Sequence, residues 1–240
     1  MTRSSFADSS ASAHVTLRLA LASRAVATTV KQIHEACDAA EDAGPHGALL
    51  VHIQDSDRAL TAEDMDMPLH SQWERALRRI EMLRVPTVCA VDGACLGLMF
   101  EVLLCTDYRI AGPQLTLGLA HVADSLWPGM AIHRLATQLG VAQARSLVLF
   151  DATVEGEQAI RLGLVQRIAA DPMAAGAQFL ADFRASGIQD VSVRRQLLLE
   201  APNSSHESVL GSHMAACDRT LRREGRRASQ LTAVEALDNT

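Results

Sequence analysis

Lysine is almost missing from this 240-residue chain: Lys31 stands alone, and arginine supplies the rest of the 22 basic side chains. Against them stand 28 acidic groups, for a formal net charge of −6 and no basic run. Neutralising DNA or RNA phosphates takes clustered cations, so nucleic acid is excluded as an expected partner. Long apolar runs are missing too. Stretches such as Ala48–Val51 and Val85–Val91 fall far below the roughly 18 residues that cross a bilayer, so no membrane span is expected. Residues 1–12 are polar and lack the apolar segment of a signal peptide, which points to a disordered leader and a cytoplasmic protein. Paired cysteines are absent: Cys37, Cys89, Cys95, Cys105 and Cys217 form an odd set without a CxxC, four of them in apolar surroundings. Reduced, mostly buried thiols follow. The nine histidines show no HExxH and no ligand spacing, so no metal site is expected.

What is present is a hydrophobic content of 48%, enough to build a substantial core in one to two domains. The stretch from His14 alternates apolar and polar residues, the period of a half-exposed strand. Val26–Ala43 carries Val30, Ile33, Cys37 and Ala40 at helical spacing and stops at Gly44-Pro45. Gly47–Ile53 is a nearly continuous apolar run, as in a strand covered on both faces. After an acidic, irregular segment from Gln54 to Met67 comes an amphipathic helix, Ser71–Leu83, ending before Pro86. Thr87–Val91 returns as a buried strand, and a glycine turn leads into a helix over Leu98–Thr106. Short strands at Tyr108–Ala111 and Leu115–Leu119 precede a mainly helical remainder from Trp127 onward. The order of elements is α/β with a late helical layer.

Chemistry concentrates in the strand, turn and helix of Pro86–Ala111. The first amides of a helix lack intrahelical partners and carry the positive end of its dipole, so the amide of Leu98 faces whatever lies above the strand ends. Glu101, three residues on, shares its helix face. Spacing alone leaves two readings open: an acid/base beside an oxyanion site, or a solvated helix residue following a glycine turn.

This stretch, Pro86-Thr-Val-Cys-Ala-Val-Asp-Gly-Ala-Cys-Leu-Gly-Leu-Met-Phe-Glu-Val-Leu-Leu-Cys-Thr-Asp-Tyr-Arg-Ile-Ala111, resembles the signature of the crotonase (enoyl-CoA hydratase/isomerase) superfamily and keeps its phase without a gap. The likeness continues through Leu117–Val122, Trp127-Pro-Gly, Arg134-Leu and Thr153–Val165, so that it spans Asp55 to Ile168. It implies a crotonase-type ββα superhelix, or spiral, over residues 14–172. A helical C-terminal region at 173–240 would pack on neighbouring subunits in a homo-trimer or dimer of trimers.

The resemblance also implies an enzyme that holds the thioester oxygen of an acyl-CoA between two backbone amides, here Leu98 and a residue of Thr61–Asp64, most plainly Asp64. The two hydratase glutamates of the family fall on Glu101, which is kept, and on His121, which is not a glutamate. As an acid/base His121 would titrate near neutral pH; as a packed residue it would be inert. Leu98 and Met99 replace turn glycines and should narrow the pocket. Gly97, Trp127 and Arg24 complete the expected substrate-binding set, Trp127 by stacking on an acyl group and Arg24 near the pyrophosphate, where a plain surface arginine is an equal reading. No cofactor is implied beyond the coenzyme A of the substrate.

Within the superfamily, segments such as Ser71–Glu81, Leu104–Ala111 and Trp127–Ala131 are similar to crotonase-like enzymes of dihydroxyphenylglycine formation in glycopeptide antibiotic pathways. The similarity implies dehydration and aromatisation of a polyketide to (3,5-dihydroxyphenyl)acetyl-CoA, with a type III polyketide synthase as partner. A double-bond isomerase, or a catalytically degenerate helper of the synthase, is the alternative. Trp73 reads as core or interface packing, and Cys95, with no local base, as packing too.

Overall fold

Two periodicities, two for strands and about 3.6 for helices, lay alternating elements along the chain. The computed structural model describes residues 14–20, 26–57, 59–61 and 65–238, with side chains to residue 226. Strand β1 (Val15–Leu19) is followed by helix α1 (Val26–Asp42), β2 (Leu49–Gln54) and the two-residue β3 (Ala59–Leu60). Next come α2 (Met67–Glu81), β4 (Thr87–Asp92), β5 (Ala94–Leu96) and α3 (Leu98–Leu104). Then β6 (Tyr108–Ala111), β7 (Thr116–Gly118), β8 (His121–Val122), β9 (Ser125–Leu126), α4 (Ala131–Leu139) and α5 (Val141–Phe150) follow. The chain continues through β10 (Val154–Glu155), α6 (Gly156–Arg161), β11 (Arg167–Ile168), α7 (Pro172–Ala185), α8 (Val191–Glu200) and α9 (His206–Asp238).

The main sheet runs β1-β2-β4-β6-β11, all parallel, with Leu49 opposite Thr87 and Val91 opposite Ala111. Both faces are buried, and the side chains divide by parity. Leu49, Val51, Ile53, Cys89 and Val91 enter the larger core with α1, α2 and α3, while Leu50, Val88, Ala90 and Ile110 pack under α7 with Leu180. Burial on both sides is why the β2 segment reads as a continuous apolar run. Two smaller sheets lie beyond: β10-β7-β5, and β3-β8-β9.

Helix α2 begins four residues earlier than its apolar period suggests, because Asp66 caps it by accepting the Leu69 N–H at 2.7 Å and Pro68 sits in the first turn. Helix α7 was expected to open the C-terminal region, with a boundary at 172/173. In the structure α7 packs on the main sheet within the first of two compact units, Met1–Gln189 and Asp190–Thr240. Gly176 explains this: a Cβ there would lie 2.9 Å from Leu50 Cδ1, so the bare backbone lets α7 settle on the sheet. The second unit holds α8 and the 33-residue α9, joined by an Arg223–Asp190 ion pair, and leaves Leu198, Leu210, Met214 and Leu221 exposed. Cys37, Cys89, Cys95 and Cys105 are buried free thiols, as their surroundings suggest, and Cys217 is exposed. Among the described residues no helix is long and apolar enough to cross a membrane. The expected leader at 1–13 lies outside the described residues.

Candidate active site

The turn into α3 is fixed from three sides. Asp55 Oδ1 accepts the Ala94 N–H at 2.8 Å, and the Ser56 hydroxyl accepts the Leu96 N–H at 2.8 Å. The Gly97 N–H donates to Gly118 O at 3.0 Å. Gly97 has φ of 63° and ψ of −133°, a conformation a side chain would resist, so the chain reverses there and α3 starts at once with Leu98. The Leu98 amide therefore stands at an uncapped helix start, with the Leu98 and Met99 side chains fully buried behind it.

One turn on, Glu101 is 1% exposed. Its Oε2 accepts the indole N–H of Trp73 at 3.0 Å. Burial, the strongest influence, raises its pKa to about 7; the Trp73 bond and the Arg134 charge oppose the rise, and the charge of the Glu74 carboxyl adds to it. A Cβ built on Gly129 would lie 2.8 Å from Glu101 Oε1 and 2.8 Å from Trp127 Nε1, so this bare position brings the carboxyl and the second indole together. Trp127 also meets the His70 ring edge-on, with centroids 5.1 Å apart.

Arg134 spans the far side, its Nε donating to Glu81 Oε1 at 2.7 Å and its Nη2 to Glu74 Oε2 at 2.9 Å. Burial pushes the Glu81 carboxyl up, but the Arg134 charge and hydrogen bond, with Arg78, overcome it and hold it below the ordinary range. Four buried atoms around this cluster have no hydrogen-bond partner among the described residues: His70 Nδ1, Glu74 Oε1, Trp127 Nε1 and Arg134 Nη1.

The structure thus brings Gly97, Leu98, Glu101 and Trp127 to one place. His121 lies on β8, opposite Ala59, with its Nε2 3.0 Å from Asp151 Oδ2. Asp64 and Arg24 lie outside the described residues. Sequence reasoning missed Glu74, His70 and Arg134 as neighbours of the site, and it took Trp73 for packing without its bond to Glu101. The available signal was the spacing of His70, Trp73 and Glu74 on one helix, at i, i+3 and i+4.

A carboxyl held protonatable near neutral pH beside an open helix start is the arrangement of an acid/base enzyme. The enoyl-CoA hydratase/isomerase family model matches residues 55–183. A protein of Amycolatopsis orientalis described as an enoyl-CoA-hydratase is 37% identical over 196 residues, covering 82% of this chain and 90% of that one. Among solved structures, an enoyl-CoA hydratase of Bacillus anthracis superposes with a TM-score of 0.72 at 17% identity, covering 93% of this chain and 94% of that one. One of Shewanella pealeana gives 0.72 at 16%, covering 87% and 84%. The chain belongs to the enoyl-CoA hydratase/isomerase family, a family of enzymes, and has its crotonase fold.

Proposed function

We propose that the protein is a hydro-lyase that adds water to an unsaturated acyl-CoA or removes it from a β-hydroxyacyl-CoA. The observation that carries this reading is Glu101, a nearly fully buried carboxyl whose pKa is raised to about 7, one turn beyond the Leu98 amide. In the dehydrating direction ionised Glu101 takes a proton from the carbon beside the thioester carbonyl. The electron pair moves onto the thioester oxygen, held by the Leu98 N–H and a second amide, which we assign to Asp64. When the carbonyl re-forms, the β-carbon–oxygen bond breaks, and Glu101 returns its proton to the departing hydroxide to give water. Hydration is the reverse. A pKa near the working pH suits a group that must both take and give a proton. Each oxyanion donor is worth about 3 kcal/mol at the transition state. No cofactor enters this reading; coenzyme A is carried by the substrate.

The finer reading is dehydration and aromatisation of a polyketide to (3,5-dihydroxyphenyl)acetyl-CoA, in partnership with a type III polyketide synthase. Its support is the sequence similarity of Ser71–Glu81 and Trp127–Ala131, together with Trp127 beside Glu101, whose ring suits a flat acyl group. We assign Gly97 and Trp127 to substrate binding and Arg24 to the coenzyme A phosphates. Assembly as a homo-trimer or dimer of trimers is supported by the apolar side chains exposed on α8 and α9. A double-bond isomerase is the second reading. It is favoured by His121 in the second glutamate position, whose ring lies against Asp151; proton transfer between carbons needs one base only.

The test is hydration of crotonyl-CoA, followed by the ultraviolet absorbance of the enoyl thioester, in wild type, Glu101→Gln and His121→Ala. Activity in wild type that vanishes in Glu101→Gln is the expected result. Survival of activity in Glu101→Gln overturns the assignment, and the His121 variant reports whether a second group shares the proton.

A further inference from the structure

Two indoles attend the Glu101 carboxyl, one near each oxygen, and they do so differently. Trp73 donates its N–H to Oε2 at 3.0 Å. Trp127 Nε1 is buried without a hydrogen-bond partner among the described residues. It nevertheless faces the other oxygen across Gly129: a Cβ built on that glycine would lie 2.8 Å from Glu101 Oε1, 2.8 Å from Trp127 Nε1 and 3.0 Å from Trp127 Cδ1. The indole therefore turns its N–H edge, and not its face, toward the carboxyl. Two polar atoms that each lie 2.8 Å from one point are within reach of a single bridging oxygen at ordinary hydrogen-bond lengths. The ring is steadied in this pose, since the Trp127 backbone N–H donates to Ala120 O at 2.7 Å and the His70 ring packs against the indole edge-on.

The chemistry of the two atoms narrows what suits the place between them. An indole N–H gives one hydrogen bond and accepts none, whereas a carboxyl accepts when ionised and gives when protonated. A group that serves the indole and both states of the carboxyl must accept one bond and be able either to give or to accept another. A hydroxyl or water oxygen does so; an amide N–H or a hydrocarbon does not. A buried donor is costly to leave unmade, so the site favours a ligand that brings such an oxygen.

We infer that Trp127 is the hydrogen-bond donor to the oxygen gained or lost at the β-carbon, holding it against Glu101 Oε1. The inference rests on reading Glu101 as the proton carrier. In dehydration the β-carbon–oxygen bond breaks with its electron pair going to the oxygen. The Trp127 N–H stabilises the charge that gathers there and keeps its own proton; the proton that completes the water comes from Glu101. In hydration the same N–H places the attacking water. Glu101 takes a proton from it as the oxygen bonds to the β-carbon, then delivers that proton to the carbon beside the thioester.

The experiment compares two thioesters that differ by one oxygen, 3-hydroxybutyryl-CoA and butyryl-CoA, through the indole N–H signals in proton–nitrogen NMR spectra of the full chain. The chain has two tryptophans, so Trp73→Phe leaves Trp127 as the single indole and assigns its signal. With 3-hydroxybutyryl-CoA the Trp127 N–H signal should move downfield; with butyryl-CoA it should not. The kinetic counterpart is Trp127→Phe, which keeps an aromatic face and deletes the donor. Its kcat for crotonyl-CoA hydration should fall by about 10²-fold with KM little changed. Equal shifts with both thioesters, or a Trp127→Phe enzyme with raised KM and wild-type kcat, overturn the inference and leave Trp127 a stacking surface. If Trp127→Phe does not fold, the NMR comparison decides alone. If neither thioester binds, the function proposed above fails and the inference fails with it. A downfield shift confined to the hydroxy thioester, without turnover of crotonyl-CoA, upholds the donor and fails the proposed reaction for that substrate.

Discussion

Arg109 and Arg134 are each 7% exposed, yet their surroundings follow opposite plans. Arg109 is held by neutral acceptors: the carbonyls of Leu104, Thr106 and Leu164 and the side-chain oxygen of Gln138, at 2.9–3.3 Å. Burial lowers its pKa, with Cys89, Cys105 and Asp107 pulling the other way. Arg134 is held by two carboxylates. Burial opposes its charge as well, but Cys105, Glu81 and Glu74 more than restore it, so its pKa is raised. The first arginine spreads its donors over loop and strand ends, as a cross-brace does. The second leaves its Nη1 and Glu74 Oε1 without hydrogen-bond partners among the described residues and sits near Glu101, whose pKa is raised to about 7. Burial alone does not mark a functional charge; an incompletely satisfied network around it does.

The comparison can be broken at four points. The largest effect belongs to Glu101→Gln, which should lower crotonyl-CoA turnover by roughly 10²–10⁴-fold. The same variant should be more stable than wild type at high pH. Folding raises the Glu101 pKa to about 7 from an ordinary 4.5. Its contribution to stability is therefore full below about 4.5 and is lost as pH rises through about 7, to a total of about 3 kcal/mol. Urea melts at pH 4.5 and 8 should show this loss in wild type and not in Glu101→Gln.

Next is Arg134→Gln, which strands Glu81 and Glu74 in the interior and should cost about 3–5 kcal/mol in urea melts at pH 8. It should also move the activity midpoint upward, because a cation is removed from near Glu101. Arg109→Met should cost about 3 kcal/mol, from buried carbonyls left without donors. Its activity per folded molecule should stay near wild type; an activity loss matching that of Arg134→Gln would erase the distinction between the two arginines. The smallest effect is that of Trp73→Phe, which removes one hydrogen bond and should cost about 1 kcal/mol. Since that bond favours the ionised form of Glu101, the activity midpoint should rise.

Much of the fold was legible in the chain because its main strands and helices are long enough for their periods to register. The parity of Leu49, Leu50 and Val51 in β2, and the spacing of Val30, Ile33 and Cys37 in α1, are examples. The two-residue strands β3, β8, β9, β10 and β11 were not, since two residues show no period. Helix α7 was legible as a helix but not as part of the sheet layer, because Gly176 makes its contact by having no side chain. In the site, the order Gly97, Leu98, Glu101 could be read locally. Glu74 left only the faint signal of sharing a helix face with His70 and Trp73, and beside Arg75, Arg78 and Arg79 it reads as the solvated side of an amphipathic helix. Its hydrogen-bond partner in the structure is Arg134, 60 residues away in the chain.

The β6–β11 pairing carries a kinetic consequence. Strand β11 returns to the sheet from far along the chain, and Arg109 meets Gln166 and Leu164 across 57 and 55 residues. Such contacts require a larger loop to close before they stabilise anything, so this edge is expected to join after the shorter-range β1–β2, β2–β4 and β4–β6 pairings. A brace completed after the folding barrier acts chiefly as a lock: in stopped-flow measurements, loss of the Arg109 clamp should speed unfolding far more than it slows folding.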